Sequence, residues 1–500
     1  MPNKRTAFLT LPLRSLVTKG AIFSDAEVLC TGCTSELEQV RPGDLFVATN
    51  QQGDAHELAR EAVERGAVAV LCERLLPLSV PQAIVEDSRA AFGYACHQLA
   101  GEPSRKIPVI GITGSLGKTT TALLTAAVLN TEKQGVAAFT SLAHCDSVRA
   151  SAALQTTPRA DELSGLLKSA VDRGCSHAVA EFSSAGLSEQ RGAGMELAVA
   201  VLTNLRRQHL DRHNTLAAYR AAKERIFSLL RSDGAAVINI DDPYSRSLLE
   251  RLKCPALTVS LHHQADVTAT LLERCASEQT FLLEAGADSV PVRTRMVGDH
   301  HIHNCLSATA VGLLSGLDLP TIARGLEAVA MIPGRMERLE CGQDFAVYID
   351  EARSHDGLAM CLKTARQVTP GRVICVMSPS TSGDPSERPL LGRVLEKSSQ
   401  VRVITSEASA HMNALGRAHE VLDGFENPGQ AHVIPSRDKA IAWAMEHARF
   451  GDAVVICGQG HRDWKLGSRT TDDSTFARER LYEIVARDVR SKPLVFAYSG

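Results

Sequence analysis

Between Pro108 and Leu129 the chain runs PVIGITGSLGKTTTALLTAAVL: an apolar segment, a glycine-broken loop and a long alanine- and leucine-rich helix. A strand leading through such a loop into a helix constrains the fold more than any other stretch. Gly114 and Gly117 let backbone N–H groups close around an anion, and the helix adds the positive end of its dipole. Lys118 supplies a point charge and Thr119 a hydroxyl that can hold magnesium. The motif is a short form, G-x-x-G-K-T-T, because Ile112 stands where the longer phosphate loop has glycine. The expected nucleotide contacts are therefore Gly114, Ser115, Leu116, Gly117, Lys118, Thr119 and Thr120.

The segments downstream repeat the alternation. SHAVAEFSS, LAVAVLTNL and GAAVINIDDP are apolar runs that end in polar residues, separated by helical stretches. Strands carrying their chemistry at the C-terminal end predict a mostly parallel sheet with its site along that edge. Upstream, RPGDLFVATN and AHELAREAVERGAVAVLCE predict a small α/β unit whose turn is Pro42-Gly43-Asp44. GEPSRKIP has the composition of a linker. Beyond MIPGRMER, the runs FAVYIDEA, GRVICVMSPS, VRVITSEAS and AVVICGQGH alternate with helices such as RDKAIAWAMEHA, which predicts a further α/β domain.

Charge excludes some partners. The 54 basic and 57 acidic residues give a net charge of −3, with no basic surplus to attract nucleic acid or a membrane surface. No apolar run approaches the ~18 residues that a spanning helix needs, and the N-terminal MPNKRTAFLTLPLRSLV, its apolar part interrupted by polar and arginine residues, is a weak match to a signal peptide. The 13 cysteines are scattered, apart from Cys30 and Cys33. No second pair accompanies these two, so buried thiols in a reducing cytoplasm are expected.

Four polar clusters follow the loop: TTP at Thr156–Pro158, Glu181 in EFSS, Asn204 with His209 and Asp211 in NLRRQHLDRH, and Lys223 in AYRAAKERIF. Singly, each has an ordinary reading; Lys223 on an alanine-rich helix is by default a solvated cation. In order, however, the loop, TTP, E-x-S-S, N-L-x-x-x-H-L-D, A-x-x-A-K-x-x-x-F and V-I-N-x-D-D-P resemble the Mur ligases, and among them the UDP-N-acetylmuramyl-tripeptide synthetases. The resemblance runs from RPGDLFVA to GQGH and includes GRMERL, VYIDEA and KAIAWA.

That resemblance implies three domains: 1–105 binding the UDP-substrate, 106–334 a central parallel-sheet ATPase, and 335–500 Rossmann-like. It implies ATP and magnesium as cofactors, with two metal sites. The expected reaction passes a phosphoryl group to a carboxylate of UDP-MurNAc-L-Ala-D-Glu, and an amino acid then attacks the acyl phosphate to form an amide. This would be a step of cytoplasmic peptidoglycan synthesis, performed by a monomer. Lys118, Glu181, His209 and Lys223 would be catalytic. Thr119, Glu181, His209 and Lys223, the last as its CO₂ adduct, would hold the metals. Thr156, Thr157, Ser183 and Arg191 match substrate contacts; Asn239, Asn304, Arg335 and Asp350 match further ATP contacts. In GDHHIHN, His301 replaces a usual asparagine.

Several positions depart from the family pattern. Glu36-Leu37-Glu38 replaces Asp-Ser-Arg, Ser115-Leu116 replaces Thr-Asn, and Ala185 and Gln208 replace a histidine and an aspartate. Glu351 and Arg353 stand for a tyrosine and a histidine. The C-terminal domain differs most: SPSTSGD at Ser378–Asp384 for a glycine-rich segment, EASA at Glu407–Ala410 for Asp-Asn-Pro-Arg, and Arg462 for a terminal glutamate. The expected consequence is an acceptor pocket that does not grip diaminopimelate in the usual way, with Glu407 and Arg462 as a reversed pair or a mutual neutralisation. Two rival readings stand beside the ligase: a diverged, non-ligating paralogue that binds nucleotide or UDP-sugar, and a related ligase with another acceptor, against which the TTP and paired-serine positions argue.

Overall fold

The computed structural model describes residues 8–24, 27–49, 55–381, 384–406 and 414–491. Glu407–Ala410, Ser382 and Gly383 lie outside them. The chain forms two compact units: one comprises 1–205, 215–268 and 303–325, the other 206–214, 269–302 and 326–500.

In the first unit the N-terminal strands Gly32–Thr34, Asp44–Val47, Ala69–Cys72 and Gln82–Ile84 pair in parallel, with Ala21–Phe23 antiparallel at one edge. The predicted turn is present: the Asp44 carboxylate accepts the Arg41 N–H at 3.0 Å. Asp87 caps the helix Ser88–Leu99 by accepting from Arg89 and Ala90. Its Phe92 and Leu99 pack on Leu45 and Leu71. Cys30 and Cys33 are buried free thiols.

The segment with linker composition is built into this unit. Pro103–Arg105 forms a 3₁₀ turn. Buried Ser104 bonds the His97 ring at 2.8 Å and accepts the Glu196 N–H at 2.9 Å, and Arg105 pairs with Glu196 at 2.7 Å. Its polar residues serve as tertiary hydrogen-bonding groups, which composition alone does not reveal.

The larger sheet of this unit has the strands Val136–Phe139, His177–Glu181, Val109–Thr113, Leu197–Leu202, Leu230–Asn239 and Ala256–Ser260 in parallel succession. Their apolar residues are nearly all buried, as expected of a sheet covered on both faces. Register aligns the C-terminal ends: Glu181 pairs with Ile112, and Leu202 with both Thr113 and Ile238. The phosphate loop, Glu181, Asn204 and Asn239 therefore emerge along one edge.

The second unit holds the hairpin Gln279–Ala285 and Asp288–Thr294 and a six-stranded sheet. The latter runs Glu337–Leu339, Ala346–Asp350, Ala453–Cys457, Val373–Met377, Val401–Ile404, Ala431–Val433, parallel except for the first strand. Helices cover both faces. Leu358, Leu362 and Leu391 belong to one core, and Ile441, Ala444 and Phe476 to the other. A fully buried Arg437–Asp473 pair at 2.6 Å anchors the loop after Cys457, since Asp473 also accepts the Gly460 N–H at 3.1 Å. Among the described residues no helix is long and apolar enough to cross a membrane.

Candidate active site

The phosphate loop is shaped by glycine and held from the neighbouring strand. Gly117 has φ +84°, and a Cβ there would lie 2.4 Å from Asn304 Oδ1. At Gly114 a Cβ would fall on the Thr203 hydroxyl. Only glycine admits this conformation and approach without strain. The strand end after Leu202 staples the loop: the side-chain amide of Asn204 accepts from Leu116 N and donates to Leu116 O, both at 3.0 Å. Thr203 donates to Leu116 O at 2.6 Å, and Ser115 N donates to Asn204 O at 2.9 Å. Lys118 begins the helix Lys118–Leu129, and its Nζ donates to Ser115 O at 3.2 Å. Thr120 is buried in its first turn.

Glu181, at the end of its strand, accepts the Thr119 hydroxyl and the Ser141 N–H, each at 3.0 Å, on one carboxylate oxygen. Its side chain is almost wholly buried. Two hard oxygen donors, from Thr119 and Glu181, thus meet beside the loop. That donor set fits magnesium, which takes one or two protein oxygens and keeps several waters.

Lys223 joins them. Its helix, Leu216–Glu224, starts at Thr215, which caps Ala218 N, and turns Tyr219, Ala222 and Lys223 inward. The ammonium donates to Gly114 O at 2.7 Å. Burial pushes its pKa well below the ordinary lysine value, the Lys118 charge adds to the effect, and Glu181 opposes it. The solvated-cation reading of this position is therefore wrong. Tyr219, one turn earlier, bonds Ser115 Oγ at 2.8 Å.

Three of the expected substrate residues also come together. Thr157 Oγ1 donates to Glu181 O at 3.1 Å and accepts Ser183 N at 2.8 Å. Ser183 caps the next helix through Gly186 N. Arg191 donates to Thr157 O at 2.5 Å and pairs with Glu189 at 2.6 Å. Thr156 is half-buried alongside. A cavity lies against this group, lined among others by Ser35, Arg89, Phe92, Arg159 and Arg191. Arg159 is ion-paired with Glu36 and donates to Ser35 Oγ at 3.1 Å.

Asn239 and Asn304 act on the same edge. Asn239 donates to Thr203 O at 3.0 Å and accepts Asp241 N at 3.0 Å. Asn304 accepts the Thr121 hydroxyl at 3.2 Å.

His209, Arg335 and Asp350 belong to the second unit. His209 is exposed, with φ +56°, at the start of the turn Leu210–His213. Asp350 accepts Met336 N at 2.8 Å and Ala352 N at 2.7 Å. Burial and the neighbouring Cys457 raise its pKa to about 6. Arg335 pairs with Glu351, whose other oxygen accepts from Arg462 at 2.8 Å. Burial would raise the Glu351 pKa, but Arg335 and Arg462 prevail and hold it at about 2. Arg462 thus has Glu351 as a partner, a pairing not anticipated from sequence. Thr203, Ser141 and Tyr219 were not anticipated either, although the first two are polar residues at strand ends, which was a usable signal.

Residues 112–312 match the family described as Mur ligase middle domain, and residues 334–460 match Mur ligase, glutamate ligase domain. A UDP-N-acetylmuramoyl-L-alanyl-D-glutamate–2,6-diaminopimelate ligase of Syntrophomonas wolfei is 34% identical, over 87% of this chain and 91% of that protein. A UDP-N-acetylmuramyl-tripeptide synthetase of Roseiflexus is 32% identical, over 91% and 94%. The fold matches a solved diaminopimelate ligase with a TM-score of 0.69 and 24% identity, covering 96% of this chain and all of that one. It matches a Mycobacterium tuberculosis folylpolyglutamate synthase complexed with ADP and AMPPCP with a TM-score of 0.61 and 18% identity, over 81% and 95%. With the phosphate loop, Glu181 and Lys223 gathered on one sheet edge, these matches show that the chain belongs to the Mur ligase family.

Proposed function

We propose that this protein is an ATP- and magnesium-dependent amide ligase that adds an amino acid to UDP-N-acetylmuramoyl-L-alanyl-D-glutamate in peptidoglycan synthesis. The observation that carries the reading is the convergence of Thr119, Glu181 and Lys223 at the mouth of the phosphate loop. The loop N–H groups and the Lys118 ammonium would bind the nucleotide phosphates, and Thr119 and Glu181 would hold magnesium. Bound there, magnesium would neutralise charge on the phosphoryl group during its transfer. Burial depresses the Lys223 pKa and so favours the neutral amine form that reacts with CO₂; its carbamate would place an anion, in place of a lysine ammonium, beside a metal site. The amino acid's nitrogen would then attack the acyl phosphate carbonyl, forming the C–N bond and releasing phosphate. Two magnesium positions, a ligand role for His209, nucleotide contacts through Asn239, Asn304, Arg335 and Asp350, a monomeric enzyme and the divisions 1–105, 106–334 and 335–500 are part of what we propose. The arginine-lined cavity beside Thr157 and Arg191 suits an anionic sugar-nucleotide substrate.

The acceptor is the less ordinary part. The name of the Syntrophomonas wolfei relative specifies diaminopimelate, yet here the terminal-motif residue is Arg462, and it pairs with Glu351. We infer a pocket that grips its amino acid differently from those relatives. Phosphate release measured with ATP, magnesium, the UDP-dipeptide and a panel of amino acids tests both points. Release that depends on an amino acid is expected, with a preference other than diaminopimelate. No release with any amino acid overturns the ligase reading; a preference for diaminopimelate, undisturbed in Arg462→Ala, overturns the altered grip alone.

A further inference from the structure

Asp241, just beyond the strand Leu230–Asn239, is met by histidines from two other segments. His262 and His263 follow the strand Ala256–Ser260, and His303 lies in the helix Asp299–Leu314. Candidate ligand atoms of Asp241, His262 and His303 all fall within 4.8 Å of one another. His303 Nε2 stands 3.6 Å from Asp241 Oδ2, and His263 Nε2 stands 3.9 Å from Oδ1. Both separations exceed the ~3.2 Å reach of an N–H···O hydrogen bond. A tetrahedral ion with metal–ligand bonds of ~2.0 Å sets its ligand atoms ~3.3 Å apart, a separation both pairs would reach by moving inward about 0.3–0.6 Å.

The carboxylate is already oriented by other groups. Ser260 Oγ donates to Oδ1 at 2.6 Å and Leu261 N to Oδ2 at 2.7 Å. Such outer hydrogen bonds are what fix a ligating carboxylate in place. The His262 and His303 rings cross edge-to-face with centroids 6.3 Å apart. A simple Asp–His ion pair would close to hydrogen-bonding distance and would need no second imidazole from a separate segment.

We propose that Asp241, His262 and His303 form a binding site for a divalent transition ion of the zinc class, with His263 or water completing the coordination. Two imidazoles and a carboxylate suit zinc, cobalt or nickel and disfavour magnesium. The ion acts as a clamp. It joins the sheet edge, the turn after Ser260 and the helix that carries Asn304. Asp241 N donates to Asn239 at 3.0 Å, and His303 directly precedes Asn304, so the clamp steadies two residues of the nucleotide edge.

The test uses the untagged, chelator-stripped full chain. One equivalent of Zn²⁺ should bind in competition with a chromophoric chelator and survive millimolar Mg²⁺. Co²⁺ in its place should give visible d–d bands without a thiolate charge-transfer band, which excludes the cysteines. His262→Ala, a change at an exposed side chain, should lose that equivalent while keeping its circular dichroism; Asp241→Asn should lose it too. X-ray absorption of the Zn²⁺-loaded wild type, which needs no variant, should show only nitrogen and oxygen neighbours. Absence of stoichiometric binding, unchanged binding in both variants, or sulfur ligation would overturn the site.

Discussion

The ammonium of Lys223 donates to the carbonyl oxygen of Gly114 at 2.7 Å and lies 3.4 Å from Thr113 Oγ1. A buried lysine thus touches the first residue of the loop that would wrap a phosphate, and its helix is docked there by the Tyr219–Ser115 bond as well. Lys223→Ala should abolish ligation and leave the fold intact. Short carboxylates such as formate or acetate should restore a fraction of the rate by standing in for the carbamate. Rescue by short alkylamines instead would show that the cation, not its CO₂ adduct, is the working form.

Lys118→Ala should weaken ATP binding without unfolding the protein, because its Nζ, half-buried at the start of the helix, donates within the loop to Ser115 O rather than into the sheet core. Loss of a charge-assisted hydrogen bond to phosphate is worth ~1.5–3 kcal/mol, roughly ten- to hundredfold in Kd. Calorimetric titration with a non-hydrolysable ATP analogue checks this, and an unchanged affinity would remove the loop from the nucleotide site.

Gly117→Ala should destabilise the protein and weaken nucleotide binding together. The left-handed backbone costs a side chain ~1–2 kcal/mol, and the added Cβ would press on Asn304 at 2.4 Å. Gly174, with φ +71° and nothing near its Cβ position, isolates the backbone part. Urea denaturation of Gly117→Ala and Gly174→Ala should show the larger loss in the former.

The Glu351 cluster predicts a pH dependence. Its carboxyl is held at about 2 in the folded protein against 4.5 in the unfolded chain. A depressed acid stabilises the fold fully above the unfolded value and loses that contribution as pH falls toward the folded one. Glu351→Gln should therefore be destabilised near pH 6, by on the order of 3 kcal/mol. The gap to wild type should narrow between about pH 4.5 and pH 2. Denaturant titrations at stepped pH measure it; a constant gap would mean that the charge of Glu351 is not what Arg335 and Arg462 hold.

Much of this protein was legible in its sequence because the informative signals are local. Apolar runs ending in polar residues determine parallel strands with chemistry at one edge, and Gly114 and Gly117 determine the loop, since backbone conformation at those positions depends on the residue itself. The order of short motifs pointed to Glu181, Thr157 and Ser183, and the family resemblance to Arg191; the structure brings them together. Tertiary structure decided what depends on who is nearby. Lys223 has the sequence surroundings of an exposed cation; its burial follows from the docking of the Leu216–Glu224 helix against the loop. GEPSRKIP has the composition of a linker, yet Ser104 and Arg105 are tied to His97 and Glu196, the latter some ninety residues away. Arg462 carries a charge that sequence can record, but its partner, Glu351, is 111 residues distant. Asp241 and His303 are likewise far apart in the chain and meet only through the packing of helix on sheet. Side-chain pairing over such separations follows from the register of strands and the seating of helices, and no local pattern encodes it.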